Sequence, residues 1–320
     1  MSLNKRLINT GGGGLPVFGV GQAVIASSTD GVYYSWDYGD NWIQSVSSTS
    51  VGKVAVDNTG YTMVYSDNSG YFISTDAGQN WSFMLSDGGS LDAVSISDSG
   101  QKIVCQSVGN TRYSTDGGAT FGYSSGLPAS ESTNFYSHRN IAGTQVWANV
   151  NNGSTNNLYV SNDSGATWTF NRNLGGDGLF GKIMESLYDV FWGYSSSIMF
   201  NVSSNSITGY GQSSPCGSIT IKDWACDNIS NYNIWLLGKA SGDTGNYRLV
   251  RNRPGRTQWD YCYSTSVTDA NCIEVLGGNK TLVGLNGGTI MKTSTNNGTF
   301  SATNAPSKTW KDIESNKIRT

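Results

Sequence analysis

Short apolar runs recur along this chain, separated by glycine, asparagine, aspartate and serine. Runs of this kind, bounded by turn-forming residues, are typical of β-strands. A first set of four is predicted over residues 52–57, 61–66, 71–75 and 80–85. A second set with the same layout is predicted over residues 93–97, 102–106, 111–114 and 120–123. The pattern predicts an all-β chain with four short strands in each unit of about 40 residues.

One eight-residue pattern, Ser-x-Asp-x-Gly-x-x-aromatic, follows a predicted strand at four places. We call residues 35–42, 74–81, 114–121 and 161–168 the box turns. The carboxylate can accept N–H groups of its own turn, the glycine can adopt the left-handed conformation, and the aromatic residue can pack between sheets. The predicted structural residues are Ser35, Asp37, Gly39, Trp42, Ser74, Asp76, Gly78, Trp81, Ser114, Asp116, Gly118, Phe121, Ser161, Asp163, Gly165 and Trp168.

The four box turns resemble the Asp-box (BNR) repeat, which occurs in sialidases, photosystem II assembly factors and many β-propellers. The resemblance implies a β-propeller of four-stranded antiparallel blades. Successive serines of the pattern are 39, 40 and 47 residues apart, and a degenerate copy at residues 294–300 begins 133 residues after Ser161. Three steps of about 44 residues fill that interval, so we expect seven blades. Six blades are the alternative, which requires a long insertion.

The domain organisation follows from the repeat. Residues 1–14 end in four glycines and are expected to be an arm or linker. Residues 15–320 are expected to form a single propeller domain. The segment 309–314 resembles residues 50–55, and we expect it to pair with the first blade and close the ring, because an open ring would expose a sheet edge.

Composition and charge exclude several classes of partner. The net charge of −3 argues against broad nucleic-acid binding. The one dense basic run, Arg248 to Arg256, is a local phosphate or sulfate site or a solvated hairpin. Residues 1–10 lack the apolar segment of a signal peptide, and no apolar run has the length of a membrane span, so we expect no membrane insertion.

Metal and cofactor binding are not expected either. The chain has five cysteines at irregular spacing and a single histidine, so a zinc site is not predicted. We expect no cofactor. Buried free thiols are the expected state of the cysteines, with a disulfide between Cys262 and Cys272 as the alternative.

The sialidase resemblance implies three substrate-binding arginines and an Arg-Ile-Pro signature. No Arg-Ile-Pro occurs in this chain, and between Leu15 and Gly245 the only arginines are Arg112, Arg139 and Arg172. The carboxylates of the box turns are expected to be committed to their own turns. The chain is therefore predicted not to be an enzyme, and a sialidase-like glycoside hydrolase is kept as the alternative.

A binding face, if present, is expected opposite the box turns, on loops 124–134, 149–157, 174–181 and 264–271. Aromatic rings beside asparagine and arginine suit sugars, whose apolar faces stack while their hydroxyl groups bind polar side chains. The alternative is that these rings fill the space between blades. The candidate binding residues are Phe135, Tyr136, His138, Arg139, Phe180, Lys182, Tyr188 and Trp192.

The opening residues and the loops rich in serine, threonine, asparagine and glycine resemble tail or surface proteins of bacteriophages. The resemblance implies a non-enzymatic virion protein, a structural or attachment module that binds other virion proteins or a host-surface glycan. Its location would be the virion after synthesis in the host cytoplasm, or otherwise the cytoplasm. A protein-docking scaffold that resembles the photosystem II assembly factors is a further alternative.

Overall fold

The computed structural model describes residues 18–19, 21–86, 93–107, 110–128, 132–138, 143–151, 156–173, 184–185, 191–195, 198–203, 206–210, 219–226, 234–240, 246–252, 259–265, 267–277, 280–293 and 299–316.

The regular secondary structure of these residues is β-strand throughout. The strands in chain order are β1 (Val24–Ser28), β2 (Gly31–Ser35), β3 (Ile43–Ser47), β4 (Val54–Val56), β5 (Met63–Asp67), β6 (Gly70–Ser74), β7 (Ser82–Ser86), β8 (Val94–Ile96), β9 (Ile103–Ser107), β10 (Asn110–Ser114), β11 (Gly122–Tyr123), β12 (Ser132–His138), β13 (Val146–Asn151), β14 (Asn156–Ser161), β15 (Thr169–Asn173), β16 (Met184–Glu185), β17 (Phe191–Ser195), β18 (Ile198–Ser203), β19 (Ser206–Tyr210), β20 (Ile219–Cys226), β21 (Ile234–Ala240), β22 (Arg248–Asn252), β23 (Trp259–Ser264), β24 (Ala270–Gly277), β25 (Lys280–Leu285), β26 (Ile290–Thr293), β27 (Phe300–Ala302) and β28 (Trp310–Ser315).

Within the described part of the chain, these strands form seven antiparallel four-stranded sheets. Sheet 1 has the order β28-β1-β2-β3, so the last strand of the chain joins the first three. Sheets 2 to 7 each contain four consecutive strands, beginning at β4, β8, β12, β16, β20 and β24. The predicted all-β architecture of four-stranded antiparallel sheets is confirmed. The closure of these sheets into one seven-bladed ring stays a prediction.

The sheets pack in chain order through their first strands. β20 contacts β24, β24 contacts β28, β28 contacts β4, and the series continues through β8 and β12 to β16. Four clusters of buried apolar side chains fill the space between adjacent sheets, from sheets 7 and 1 through sheets 3 and 4. Sheets 1, 2 and 3 therefore each bury one face against the sheet before and the other against the sheet after.

Side-chain hydrogen bonds shift the strand boundaries from those expected. The strand expected over 52–57 is shortened to β4, and the backbone N–H of Lys53 donates to the Ser66 hydroxyl at 2.9 Å. The strand expected over 80–85 begins two residues later, because the backbone N–H of Asn80 donates to the Asp76 carboxylate at 2.9 Å. Local side-chain acceptors thus replace ladder hydrogen bonds at both positions.

The strand expected over 309–314 is β28, which pairs antiparallel with β1. Trp310 is fully buried and its indole N–H donates to the Gly288 carbonyl at 3.0 Å. The Asp312 carboxylate accepts the backbone N–H of Val54 in sheet 2 at 3.3 Å, and Glu274 of sheet 7 accepts the Ser315 hydroxyl at 2.6 Å. β28 therefore joins sheet 1 to both of its neighbours.

The structure shows the disulfide state of two of the five cysteines. Cys105 and Cys272 are buried and form no disulfide, as expected, which excludes the alternative disulfide of Cys272. Over the residues described, no helix is long and apolar enough to cross a membrane.

Replacement of Trp310 by alanine tests the role of β28. The indole packs among Tyr33, Trp42 and apolar residues of sheet 7, so Trp310→Ala is expected to lower the free energy of unfolding by about 3–5 kcal/mol. Ile43→Ala, at an exposed apolar residue of sheet 1, is the control and is expected to change it by less than about 0.5 kcal/mol. Urea denaturation of both variants measures the difference; equal effects would contradict the role.

Candidate functional site

The carboxylate of each box turn accepts at least three hydrogen bonds from its own turn. Asp76 accepts the Ser74 hydroxyl at 2.8 Å, the backbone N–H groups of Gln79 and Asn80 at 3.0 and 2.9 Å, and the Asn80 side-chain amide at 2.7 Å. Asp37, Asp116 and Asp163 accept the corresponding serine, backbone and asparagine or threonine donors. The carboxylates thus serve as acceptors for their own turns, which is a structural role.

These hydrogen bonds also set the ionisation of the carboxylates. Partial burial raises the pKa of Asp76, but the hydrogen bonds from Asn80, Ser74 and Gln79 outweigh it, and the net pKa is below its ordinary value. The hydrogen bonds from Thr120 and Ser114 lower the pKa of Asp116 to about 2. Both groups are thus ionised at neutral pH and suit a structural acceptor rather than a general acid.

Two consecutive left-handed residues shape each turn. In the second turn Ala77 has a φ of 60° and Gly78 a φ of 89°. The backbone N–H of Gly78 donates to the Ser74 hydroxyl at 2.9 Å, and the Trp81 indole donates to the Gly78 carbonyl at 3.1 Å. A Cβ at Gly78 would lie 3.2 Å from Met63 Sδ and from Tyr34 Cβ, so the packing as well as the backbone favours glycine.

The box turns dock on the fourth strand of the preceding sheet. The Ser45 hydroxyl of sheet 1 donates to the Gly78 carbonyl, and the Trp81 indole donates to Ser45 Oγ at 2.6 Å. Between sheets 3 and 4, Ser124 makes the equivalent hydrogen bond to the Gly165 carbonyl. Between sheets 7 and 1, the backbone N–H of Trp42 donates to the Asn304 side chain at 2.9 Å. The turns are therefore contacts between sheets.

In sheets 1 to 4 the fourth strand begins just after the box turn. The residue two positions beyond the box aromatic is exposed in each of these sheets. In sheets 1, 2 and 4 a β-bulge interrupts the pairing of the third and fourth strands. The residues paired just after the bulge are Tyr33 with Gln44, Phe72 with Phe83, and Tyr159 with Phe170. In sheet 3 the corresponding pair is Arg112 with Tyr123, two residues beyond the aromatic residue of the box turn.

Three of these fourth-strand residues are exposed aromatic rings. Phe83, Tyr123 and Phe170, which we call the rim aromatics, are 57%, 65% and 53% exposed. Each contacts its third-strand partner: Phe83 lies edge-on to Phe72 at 5.4 Å, Phe170 lies edge-on to Tyr159 at 5.6 Å, and Tyr123 stacks with the Arg112 guanidinium. The rings are thus held by their neighbours while more than half of each surface meets solvent.

The rim aromatics lie at the outer ends of successive crevices between sheets. Phe72 and Trp81 pack in the cluster between sheets 1 and 2, Phe121 packs between sheets 2 and 3, and Tyr159 packs between sheets 3 and 4. Adjacent sheets therefore present the rings at equivalent places. The backbone register also places Trp259 of sheet 6 at this position, opposite Asn252 and just after a bulge.

The fourth strands of sheets 1 to 4 are nearly uncharged. The sequences of β3, β7, β11 and β15 are IQSVS, SFMLS, GY and TFNRN, in which Arg172 is the single charged residue. Hydroxyl and amide side chains, among them Ser82, Ser86 and Thr169, are exposed beside the rings. This combination of flat apolar surface and uncharged hydrogen-bonding groups is the candidate functional site.

The candidate residues from sequence lie elsewhere. Phe135, Tyr136 and His138 are in strand β12 rather than on a loop, and His138 pairs with Val146, which in turn pairs with Ser161 at the start of the fourth box turn. His138 is therefore at the box-turn end of sheet 4. Trp192 is in β17, the second strand of sheet 5. The remaining four candidates, Arg139, Phe180, Lys182 and Tyr188, lie outside the described residues.

The rim aromatics are not among the binding residues predicted from the sequence. A usable signal was present, because Phe83, Tyr123 and Phe170 each stand two residues beyond the box aromatic, at Trp81, Phe121 and Trp168. The predicted binding residues were assigned to loops, whereas these rings lie on the fourth strands. Among the described residues, no group of histidine, cysteine, aspartate or glutamate side chains is arranged to hold a metal ion.

No protein-family profile and no curated protein sequence matches this chain. Its structure is similar to the GH74 enzyme of Niastella koreensis, with 15% identity and a TM-score of 0.67 over 91% of this chain and 52% of the enzyme. The GH74 xyloglucanase of Xanthomonas campestris gives 13% identity and a TM-score of 0.67 over 95% of this chain and 54% of the enzyme. The chain thus spans about half the length of each GH74 enzyme.

A third similar structure is YCF48 bound to a D1 peptide, with 12% identity and a TM-score of 0.59 over 88% of this chain and 84% of that chain. The GH74 enzymes and YCF48 are β-propellers. At these identities the likeness concerns the fold alone. Together with the packed four-stranded sheets, it assigns a β-propeller fold to this chain.

Replacement of Asp76 by alanine tests the hydrogen bonds of the box turn. Asp76→Ala leaves two backbone N–H groups and the Ser74 hydroxyl without their acceptor, and is expected to lower the free energy of unfolding by about 1–2 kcal/mol. Thr75→Ala, at an exposed residue of the same turn, is the control and is expected to change it by less than about 0.5 kcal/mol. Equal stability of Asp76→Ala and the parent chain in urea denaturation would refute the structural role.

Proposed function

We propose that this chain is a non-catalytic carbohydrate-binding β-propeller, and that its seven sheets are the blades of one ring. The observation that carries the proposal is the repetition of an exposed aromatic ring at equivalent positions of three adjacent sheets, on strands with almost no charge. The rim aromatics are the proposed contacts.

The chemistry of these strands favours a sugar over other ligands. The apolar face of a pyranose ring stacks on an aromatic ring, and its hydroxyl groups exchange hydrogen bonds with neutral hydroxyl and amide side chains. Phe83 and Phe170 provide such faces, and each is oriented by an edge-on contact with the ring behind it. Rings already held in place lose little conformational entropy when a ligand binds.

Repetition favours a polymer over a single sugar. One exposed ring contributes about 1 kcal/mol, which alone gives weak binding. A glycan chain that runs along the rim can reach rings on successive sheets, and each later contact is intramolecular. An attachment role on a virion surface was expected from the opening residues and the polar loops. It is compatible with such multivalent binding and stays a prediction.

The fold likeness to GH74 enzymes makes hydrolysis the principal alternative, and the YCF48 complex makes peptide binding another. We favour binding over hydrolysis because the box-turn carboxylates are committed to their own turns and because the fourth strands that carry the rings contain no carboxylate. Xyloglucan, the substrate class in the name of one GH74 relative, is the first neutral glycan to test.

The experiment is a binding measurement on the whole chain with immobilised xyloglucan, polygalacturonate and a glycan array. The variant Phe83→Ala/Tyr123→Ala/Phe170→Ala is expected to weaken binding about tenfold or more, because three stacking contacts are lost together. Ile43→Ala removes an equally exposed apolar side chain of a fourth strand and is expected to leave binding unchanged.

Two results would overturn the proposal. Unaltered glycan binding by the triple variant would exclude the rim, and release of reducing ends from xyloglucan by the parent chain would make it a hydrolase. Binding of peptides but of no glycan would favour the docking alternative. Circular dichroism of each variant shows that its sheets are intact.

A further inference from the structure

Sheet 3 departs from its neighbours at one position of the rim. Behind the exposed rings of sheets 2 and 4 the third strand carries an aromatic residue, Phe72 or Tyr159, whereas sheet 3 carries Arg112 behind Tyr123. The rim therefore contains one cation directly beneath an exposed ring.

The guanidinium of Arg112 is held flat by Tyr123. Its central carbon lies 3.4 Å from the centroid of the Tyr123 ring, and Nη2 donates to the Tyr123 hydroxyl at 2.7 Å. Stacking on the ring uses the face of the guanidinium and leaves its in-plane N–H groups as the directions for further hydrogen bonds. The arginine is thus pre-oriented at the surface.

Packing alone does not account for an arginine here. Arg112 Nε is buried without a hydrogen-bond partner, and no carboxylate of the described residues forms an ion pair with this side chain. A phenylalanine or tyrosine, as in the adjacent sheets, would fill the position without a buried unpaired N–H, which is unfavourable. The positive charge of Arg112 is therefore neutralised by no carboxylate of the described residues, and an anion can pair with it through the Nη groups rather than the buried Nε.

We propose that Arg112 and Tyr123 form a subsite for a sugar that bears a carboxylate, so that the preferred glycan is a polyuronate. The inference rests on the proposed function of the rim. A carboxylate that approaches in the plane of the guanidinium accepts its N–H groups without disturbing the stack, while Tyr123, 65% exposed, contacts the sugar ring. Phe83 and Phe170, on the sheets to either side, contact other sugars of the same chain.

The test compares oligogalacturonate with its methyl ester, which has the same sugar rings without the charge. Isothermal titration of the whole chain is expected to give about tenfold tighter binding of the acid than of the ester, since one charge-assisted pair is present only with the acid. Raising the ionic strength is expected to reduce this difference. Arg112→Gln is expected to remove it, and Arg112→Lys to restore part of it.

The outcomes separate the two proposals. Equal affinity for acid and ester, or an unchanged preference in Arg112→Gln, overturns the carboxylate subsite while binding to the rim stands. Failure of oligogalacturonate, its ester and xyloglucan to bind overturns the proposed function itself. Gln101→Ala, on the box-turn side of sheet 3, is the control and is expected to keep the parent preference.

Discussion

The Ser–Asp–Gly hydrogen-bond network of the box turn is the interaction on which the packing of sheets 1 to 4 depends. Ser74 and Asp76 satisfy the polar groups of their own turn, so the Gly78 carbonyl and the Trp81 indole are left to bind the sheet before. The same arrangement recurs where Ser124 meets Gly165. Because the carboxylate is bound within its own turn, the other polar groups of the turn can bind the preceding sheet. Repetition of the turn repeats this contact between successive sheets.

This constraint also determines what faces outward. After each box turn the fourth strand pairs with the third strand in the same register. A bulge follows the box aromatic in sheets 1, 2 and 4. The residue two positions beyond the box aromatic consequently reaches the outer edge of the crevice between sheets. Where that residue is Phe83, Tyr123 or Phe170, the scaffold produces a row of rings without any specialised loop. Structural repetition and the proposed binding surface therefore have one cause.

Much of the architecture was accessible from sequence because the box turns recur at measurable intervals. The four-stranded units and the segment that became β28 follow from that spacing and from strand patterns. The strand limits were less accessible, because Asp76 and Ser66 capture the backbone N–H groups of Asn80 and Lys53 and so replace ladder hydrogen bonds. Such competition depends on side-chain geometry, which the alternation of apolar and polar residues does not encode.

The candidate site was harder still to predict from the sequence. The pairing of Arg112 with Tyr123 depends on cross-strand register, which a bulge can shift by one residue, and exposure of a ring depends on how far the neighbouring sheet extends. The offset of two residues from the box aromatic was visible in the sequence, but its meaning required the fold. The loop residues selected from sequence remain predictions, with Phe135, Tyr136 and His138 in strand β12.

The central claim is that glycans bind along the rim of adjacent sheets. Hydrogen–deuterium exchange of the whole chain with and without saturating oligosaccharide tests it most directly, because exchange reports backbone protection segment by segment. We expect added protection in β7, β11 and β15 and none in β24 to β28. Protection confined to the loops opposite the box turns, with the exchange of β7, β11 and β15 unchanged, would contradict it.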